Sequence, residues 1–182
     1  MLDRILWLDL ETTGSSIDNE ILEVGIAITN KTFEVIDTRG YLHKPLNSDF
    51  SGMDPIVFKM HSQNHLLEDI SHGFDLEYID TQINIWLDSL GFDKKHIPLA
   101  GSGVSHFDRQ FIRKYLPKFD IRLTYWAYDV GVLRRVLRDF VNVKIPKSGV
   151  AENKTHRALD DVLQHIDEMR VYVELLNQRV GV

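Results

Sequence analysis

The order in which two hydrophobic periods follow one another constrains this chain more than any other feature. Three β-patterned runs come first, all ending before residue 43. Arg4 to Leu10 is an apolar run followed by turn residues from Thr13 to Ser16; Ile21 to Thr29 is rich in β-branched residues; Thr32 to Leu42 is a third such run. Asn30-Lys31 fits a hairpin turn between the second and third, so the three read as an antiparallel meander. From Lys44 to Phe74 the pattern breaks into a loop around Pro45, Pro55 and Gly73, with a short helix after Pro55. Leu76, Ile79, Ile83, Trp86, Leu87 and Leu90 then recur at helical spacing.

The second half alternates. Ile97 to Ala100 is a short strand, and a helix from Phe107 to Tyr115 stops before Pro117. Leu123 to Tyr128 is another strand. A helix over 129–140 puts Val130, Leu133, Leu137 and Phe140 on one face. Lys144 to Asn153 is a polar loop, and a last helix from Arg157 to Asn177 turns Leu159, Leu163, Ile166 and Met169 inward. The order βββ-α-β-α-β-α predicts an α/β fold with a central mixed sheet covered by helices. No repeat or linker divides the chain, so residues 1–182 read as one domain.

Composition narrows the partners. No apolar run approaches the roughly 20 residues that span a bilayer, and the first residues lack the blocks of a secretory signal. The expectation is no membrane partner. There is no cysteine, which excludes disulfides and thiolate-zinc sites and agrees with a cytoplasmic setting. The net charge of −6 is uneven: from Arg109 to Arg157 twelve Lys/Arg face four Asp/Glu, a local +8 that leaves −14 elsewhere. That segment is a candidate polyanion track. The plainer reading makes Arg113, Lys114, Arg134, Arg135 and Arg138 the solvated faces of helices.

Three motifs carry chemistry. Asp9-Leu10-Glu11-Thr12-Thr13-Gly14 ends the first strand, so Asp9 and Glu11 project from one face with Leu10 opposite. Neighbouring carboxylates repel, and a hard divalent cation such as Mg²⁺ or Mn²⁺ offsets that. The bland alternative is an acidic strand end. His106-Phe107-Asp108 opens a helix, where Asp108 alone would read as a first-turn acid. His156-Arg157-Ala158-Leu159-Asp160-Asp161 opens the last helix, where one of the two acids fits a structural use and His156, between the polar Thr155 and Arg157, is less easily explained as packing.

Taken together the motifs resemble the DEDDh exonuclease superfamily over nearly the whole chain, and within it most closely oligoribonuclease. The second resemblance rests on Trp7 to Glu11, Met53-Asp54 leading to His61, Asp108 to Phe111 with Lys114 to Pro117, Tyr128 to Val130, and Thr155 to Asp161. It implies an RNase H-like fold with a five-stranded mixed sheet. It implies that Asp9, Glu11, Asp108 and Asp161 bind two divalent cations, with Asp161 rather than Asp160 chosen by its distance of five residues from His156. His156 would be the general base, a task suited to imidazole, in a two-metal hydrolysis with ions about 3.5–4 Å apart.

The implied activity is 3′→5′ hydrolysis of short single-stranded RNA to nucleoside 5′-monophosphates, with Leu10, Thr12, Thr13, His61 and Phe107 beside the substrate. Phe58, His61 and Phe107 would stack on bases; for Phe58 and Phe107 core packing is the alternative. The resemblance also implies a homodimer, with Trp126 and Tyr128 candidates for the contact. The sequence departs from the oligoribonuclease pattern at Ser15, Ile56, Phe107, Trp126 and Gly131, which bears on dinucleotide preference. Two rivals stand beside this reading: a DNA exonuclease of the proofreading or RNase T type, and a non-catalytic nucleic-acid-binding subunit.

Overall fold

A computed structural model describes residues 3–45, 50–92, 96–141 and 155–180. Five strands form one mixed sheet in the order β3-β2-β1-β4-β5, with β1 Arg4–Thr12, β2 Ile21–Asn30, β3 Val35–Leu42, β4 Ile97–Gly101 and β5 Leu123–Asp129. The predicted meander is there: β1 pairs antiparallel with β2, and β2 with β3. β4 then joins β1 in parallel and β5 joins β4 in parallel, each reached through helices. Seven helices are found among the described residues: α1 Pro55–Gln63, α2 Leu66–Asp69, α3 Leu76–Ser89, α4 Asp108–Tyr115, α5 Pro117–Asp120, α6 Val130–Asp139 and α7 Ala158–Val180.

The alternation of β1 divides the core. Leu6, Leu8 and Leu10 enter a cluster under α3 and α4 with Ile79, Ile83, Phe111 and Ile112. Ile5 and Trp7 enter the opposite cluster, under α6 and α7, with Leu137, Ile166 and Tyr172. A strand buried on both faces needs this continuous apolar run. A smaller cluster of Leu22, Met53, Leu66 and Ile70 packs the region before α3; the short helix expected after Pro55 is α1, and the rest of the stretch expected as a loop also holds α2 and two 3₁₀ turns. Asp54 starts α1 by accepting the Ile56 N–H at 2.7 Å, with Pro55 preset for the first turn.

Two helical faces differ from the expectation. On α7 the inward row is Ala158, Val162, Ile166, Met169 and Tyr172, while Leu163 is exposed. Val130 and Leu137 of α6 are buried, but Phe140, which caps the C-terminus of that helix, is 81% exposed. Leu163 lies one position off the row that meets the sheet, while Phe140 follows the last residue of its helix, where Val141 packs against the core instead. α5 has no counterpart in the sequence pattern, which stops the preceding helix before Pro117; buried Asp80 of α3 stops its first turn fraying by accepting the Lys118 and Phe119 N–H groups at 2.9 and 2.8 Å. The expected polar loop over 144–153 lies outside the described residues. No described helix is long and apolar enough to cross a membrane.

Candidate active site

Asp9 and Glu11 continue the row of Ile5 and Trp7 at the open end of β1, on the side where α7 begins. α7 brings Asp161 and His165, four residues apart and therefore on one face. One ligand atom each from Glu11, Asp161 and His156 lie within 4.8 Å of one another. His165 Nδ1 stands 3.9 Å from Asp9 Oδ1. Asp108, the first residue of α4, reaches β1 from below: its Oδ1 accepts the Leu10 N–H at 3.0 Å, the amide between the two strand acids. Residues from the two ends and the middle of the chain thus meet at one strand end. Asp9 and Asp108 stand outside the tight trio.

The electrostatics of this end are unfavourable without a counter-charge. Asp108 is only 2% exposed. Burial pushes its carboxyl up to about 7, against the lowering effect of its own amide and that of Leu10, and the nearby Asp129 charge adds to the rise. Glu11 and Asp161 are buried as well. Carboxylate oxygens from strand and helix ends beside one imidazole are the donors a divalent cation takes, and a cation would relieve the cost of burying these charges.

A family model described as "Exonuclease" (RNase_T) matches residues 6–169. The chain belongs to this exonuclease family. Its relatives include the oligoribonuclease of Leifsonia xyli, 29% identical over 93% of this chain and 82% of that protein. The oligoribonuclease of Corynebacterium diphtheriae is 32% identical over 93% of this chain and 81% of its own length. Among solved structures, E. coli exonuclease I in complex with a dA16 oligonucleotide superposes with a TM-score of 0.71 over 97% of this chain, at 16% identity. The chain spans 44% of that larger protein, so the likeness is one of fold, the RNase H-like fold.

Around the acids of this exonuclease, the candidate substrate residues are placed unequally. Leu10 and Thr12 are buried, the Thr12 hydroxyl donating to the Gly14 carbonyl at 2.8 Å. Thr13 is half-buried and lines a polar cavity of about 260 Å³ with Asn19, Glu20, Phe50 and Tyr115. Phe107 is half-buried and packs on Phe111, ring centroids 5.3 Å apart, while Phe58 is exposed. His61 is 0% exposed, which leaves no ring face for a base. Its Nε2 lies 3.1 Å from the Thr12 carbonyl and 3.7 Å from Glu11 Oε2, a supporting place behind the acids. Burial lowers its pKa, partly countered by that carbonyl.

The basic segment resolves mostly into internal pairs. Arg109 bonds Asp120 and the Thr124 carbonyl, Arg122 bonds Asp88, Arg134 bonds Glu168, and Arg157 bonds Glu23 and Asp69. These cations are spent on the fold, so among the described residues no continuous polyanion track emerges from them. Lys144, Lys147 and Lys154 lie outside the described residues.

Three residues at the site were not singled out by the sequence. Glu23, opposite Glu11 on β2, is buried, accepts both Nε and Nη2 of Arg157 at 3.1 and 3.0 Å, and caps α7 through the Ala158 N–H at 2.9 Å. His165 was legible as the residue one turn beyond Asp161. Asn64 had no local signal, because its partners Thr155 and His156 are distant in sequence.

Proposed function

We infer that this exonuclease hydrolyses short single-stranded RNA from the 3′ end, releasing nucleoside 5′-monophosphates. The observation that carries the reading is the meeting of Glu11, His156 and Asp161 within 4.8 Å at the end of β1, with Asp108 against the Leu10 amide. Oligoribonuclease relatives aligned along more than four-fifths of their length favour short RNA as the substrate class.

Asp9, Glu11, Asp108 and Asp161 would hold two divalent cations, Mg²⁺ or Mn²⁺ by their oxygen-rich donors. Such cations, when bound, supply neutralisation of the phosphodiester's charge and a lowered pKa for water. His156 would accept the proton of the attacking water, a role that its position beside Glu11 and Asp161 supports. Leu10, Thr12 and Thr13 border the terminal nucleotide, chiefly through backbone groups in the two buried cases. Phe107 offers a ring edge.

The reading extends to assembly and setting. β5 is an outer strand with Tyr125 92% exposed beside Trp126 and Tyr128, and α6 adds an exposed row of Val132, Val136 and Phe140. A second copy related by a two-fold axis would cover both elements, the usual way a chain disposes of such an edge. The whole chain would act as one exonuclease domain in the cytoplasm, where a protein without cysteine loses nothing.

The test uses 5′-labelled RNA and DNA of matched sequence, from dinucleotides to roughly twenty-mers, with Mn²⁺, Mg²⁺ or EDTA. A metal-dependent ladder shortening from the 3′ end, faster on RNA, is expected. Equal or faster hydrolysis of DNA would favour the DNA exonuclease reading, and binding without turnover would leave only a nucleic-acid-binding subunit.

A further inference from the structure

His156 is held in an unusual backbone conformation by a residue far away in sequence. Its φ is +50°, in the left-handed region that residues with a Cβ seldom occupy unless the surroundings impose it. The imposing group is the side chain of Asn64, which follows α1. Asn64 Nδ2 donates to the Thr155 carbonyl at 3.0 Å and to the His156 carbonyl at 2.5 Å. Those carbonyls belong to the two peptide units flanking the His156 Cα. Holding both planes fixes the direction in which the imidazole leaves the backbone.

Both ends of the Asn64 amide are engaged. Its Oδ1 accepts the Leu66 N–H at 3.1 Å, so the orientation is unambiguous: reversed, it would set oxygen against two carbonyls and nitrogen against an N–H. One helical turn earlier, His61 contacts the Thr12 carbonyl and Glu11. The C-terminal turn of α1 therefore touches the carboxylate strand with one residue and the His156 peptides with another. On the far side Arg157 is tied to Glu23 and Asp69, so the bend is pinned from both directions.

We propose that Asn64 is a positioning residue for the reaction, setting His156 at its working distance from Glu11 and Asp161 by holding the two peptides around it. This rests on His156 being the general base. Asn64 touches no reacting atom; it acts through the backbone of another residue.

The experiment is a double-mutant cycle in Mn²⁺ on short labelled RNA. Asn64→Ala should lower kcat by at least tenfold, because a misplacement of about 1 Å can cost roughly 10²-fold. KM and Mn²⁺ affinity, the latter from calorimetric titration, should stay within about twofold. In a His156→Ala background the same change should do almost nothing further, since there is no imidazole left to place. Asn64→Asp keeps the acceptor for Leu66 and loses the donors, and should reproduce the loss of kcat even if Asn64→Ala folds poorly. An unchanged kcat in Asn64→Asp, or an equal fractional loss with and without His156, would overturn the proposal. Unchanged turnover in His156→Ala would instead remove the base, and the positioning role with it.

Discussion

Gly25 lies directly beneath Ala158. A Cβ on Gly25 would stand 2.3 Å from the Ala158 carbonyl carbon and 2.5 Å from the Leu159 nitrogen. Both are backbone atoms, so no rotamer change could relieve the overlap. β2 thus accepts the first turn of α7 at a distance only a glycine allows, and Asp9 is the residue paired with Gly25 on β1. The depth at which α7 seats decides how far Asp161 stands from Glu11.

Gly25→Ala is expected to lift that helix end. Stability should fall by about 1–3 kcal/mol or more, as when a packed site is overfilled, and turnover should fall further than stability alone explains. Urea unfolding read beside single-turnover hydrolysis checks this. A variant equal to the parent in both would show that the close approach is not needed.

Glu23→Gln should loosen the same helix end from the other side. Removing one partner of a fully buried ion pair costs about 3–5 kcal/mol. Here Arg157 is partly exposed and keeps Asp69, so about 1–3 kcal/mol is expected. Glu23→Gln retains an oxygen for the Ala158 N–H, which isolates the effect of the charge. Denaturant midpoints of this variant and of Asp69→Asn should differ, with the buried partner mattering more.

Asp108 gives the metal-free protein a pH dependence. Burial raises its carboxyl to about 7, above its ordinary value of 3.8. Between those values the folded chain keeps a proton that the unfolded chain releases. Stability in EDTA should therefore be full below about pH 4 as far as this group is concerned, and decline as pH rises towards 7. Tm across that window, wild type minus Asp108→Asn, isolates the effect. Addition of Mn²⁺ at pH 8 should restore what ionisation costs. A difference curve that is flat, or that rises with pH, would contradict the burial argument.

The exposed face of β5 and α6 predicts association. Tyr125→Arg with Phe140→Arg should leave the sheet intact, since both side chains are largely in solvent, and should convert a two-fold dimer into monomers. Sedimentation velocity at micromolar concentration distinguishes the two. An unchanged sedimentation coefficient would direct the search for a contact to another surface.

Much of this arrangement was legible in the order of residues. The strand pattern of Arg4 to Leu42 predicts the meander, and the carboxylates at 9 and 11 share a face because strand side chains alternate. The motif around His156 and Asp161 is local, which is why it could be read at the start of a helix. His61 shows the limit. It was expected to meet substrate, yet the helix carrying it turns it inward against Thr12, and sequence does not reveal which side of a short amphipathic helix faces the sheet. Leu163 stands one position off the buried row of the long α7, and Phe140 falls just past the end of α6, neither of which spacing alone shows. Glu23 and Asn64 were missed because their roles consist of contacts with residues roughly 90 to 135 positions away. The charge of the segment from Arg109 to Arg157 was visible, but its neutralisation by Asp120, Asp88, Glu168 and Glu23 is a property of the fold.

Anomalous diffraction at the manganese edge, from crystals grown with Mn²⁺ and a non-hydrolysable short RNA, addresses the proposed paired-cation site. Two peaks about 4 Å apart are expected, bounded by Asp9, Glu11, Asp108 and Asp161 with His156 alongside. A single ion, or ions bound away from the end of β1, would contradict it.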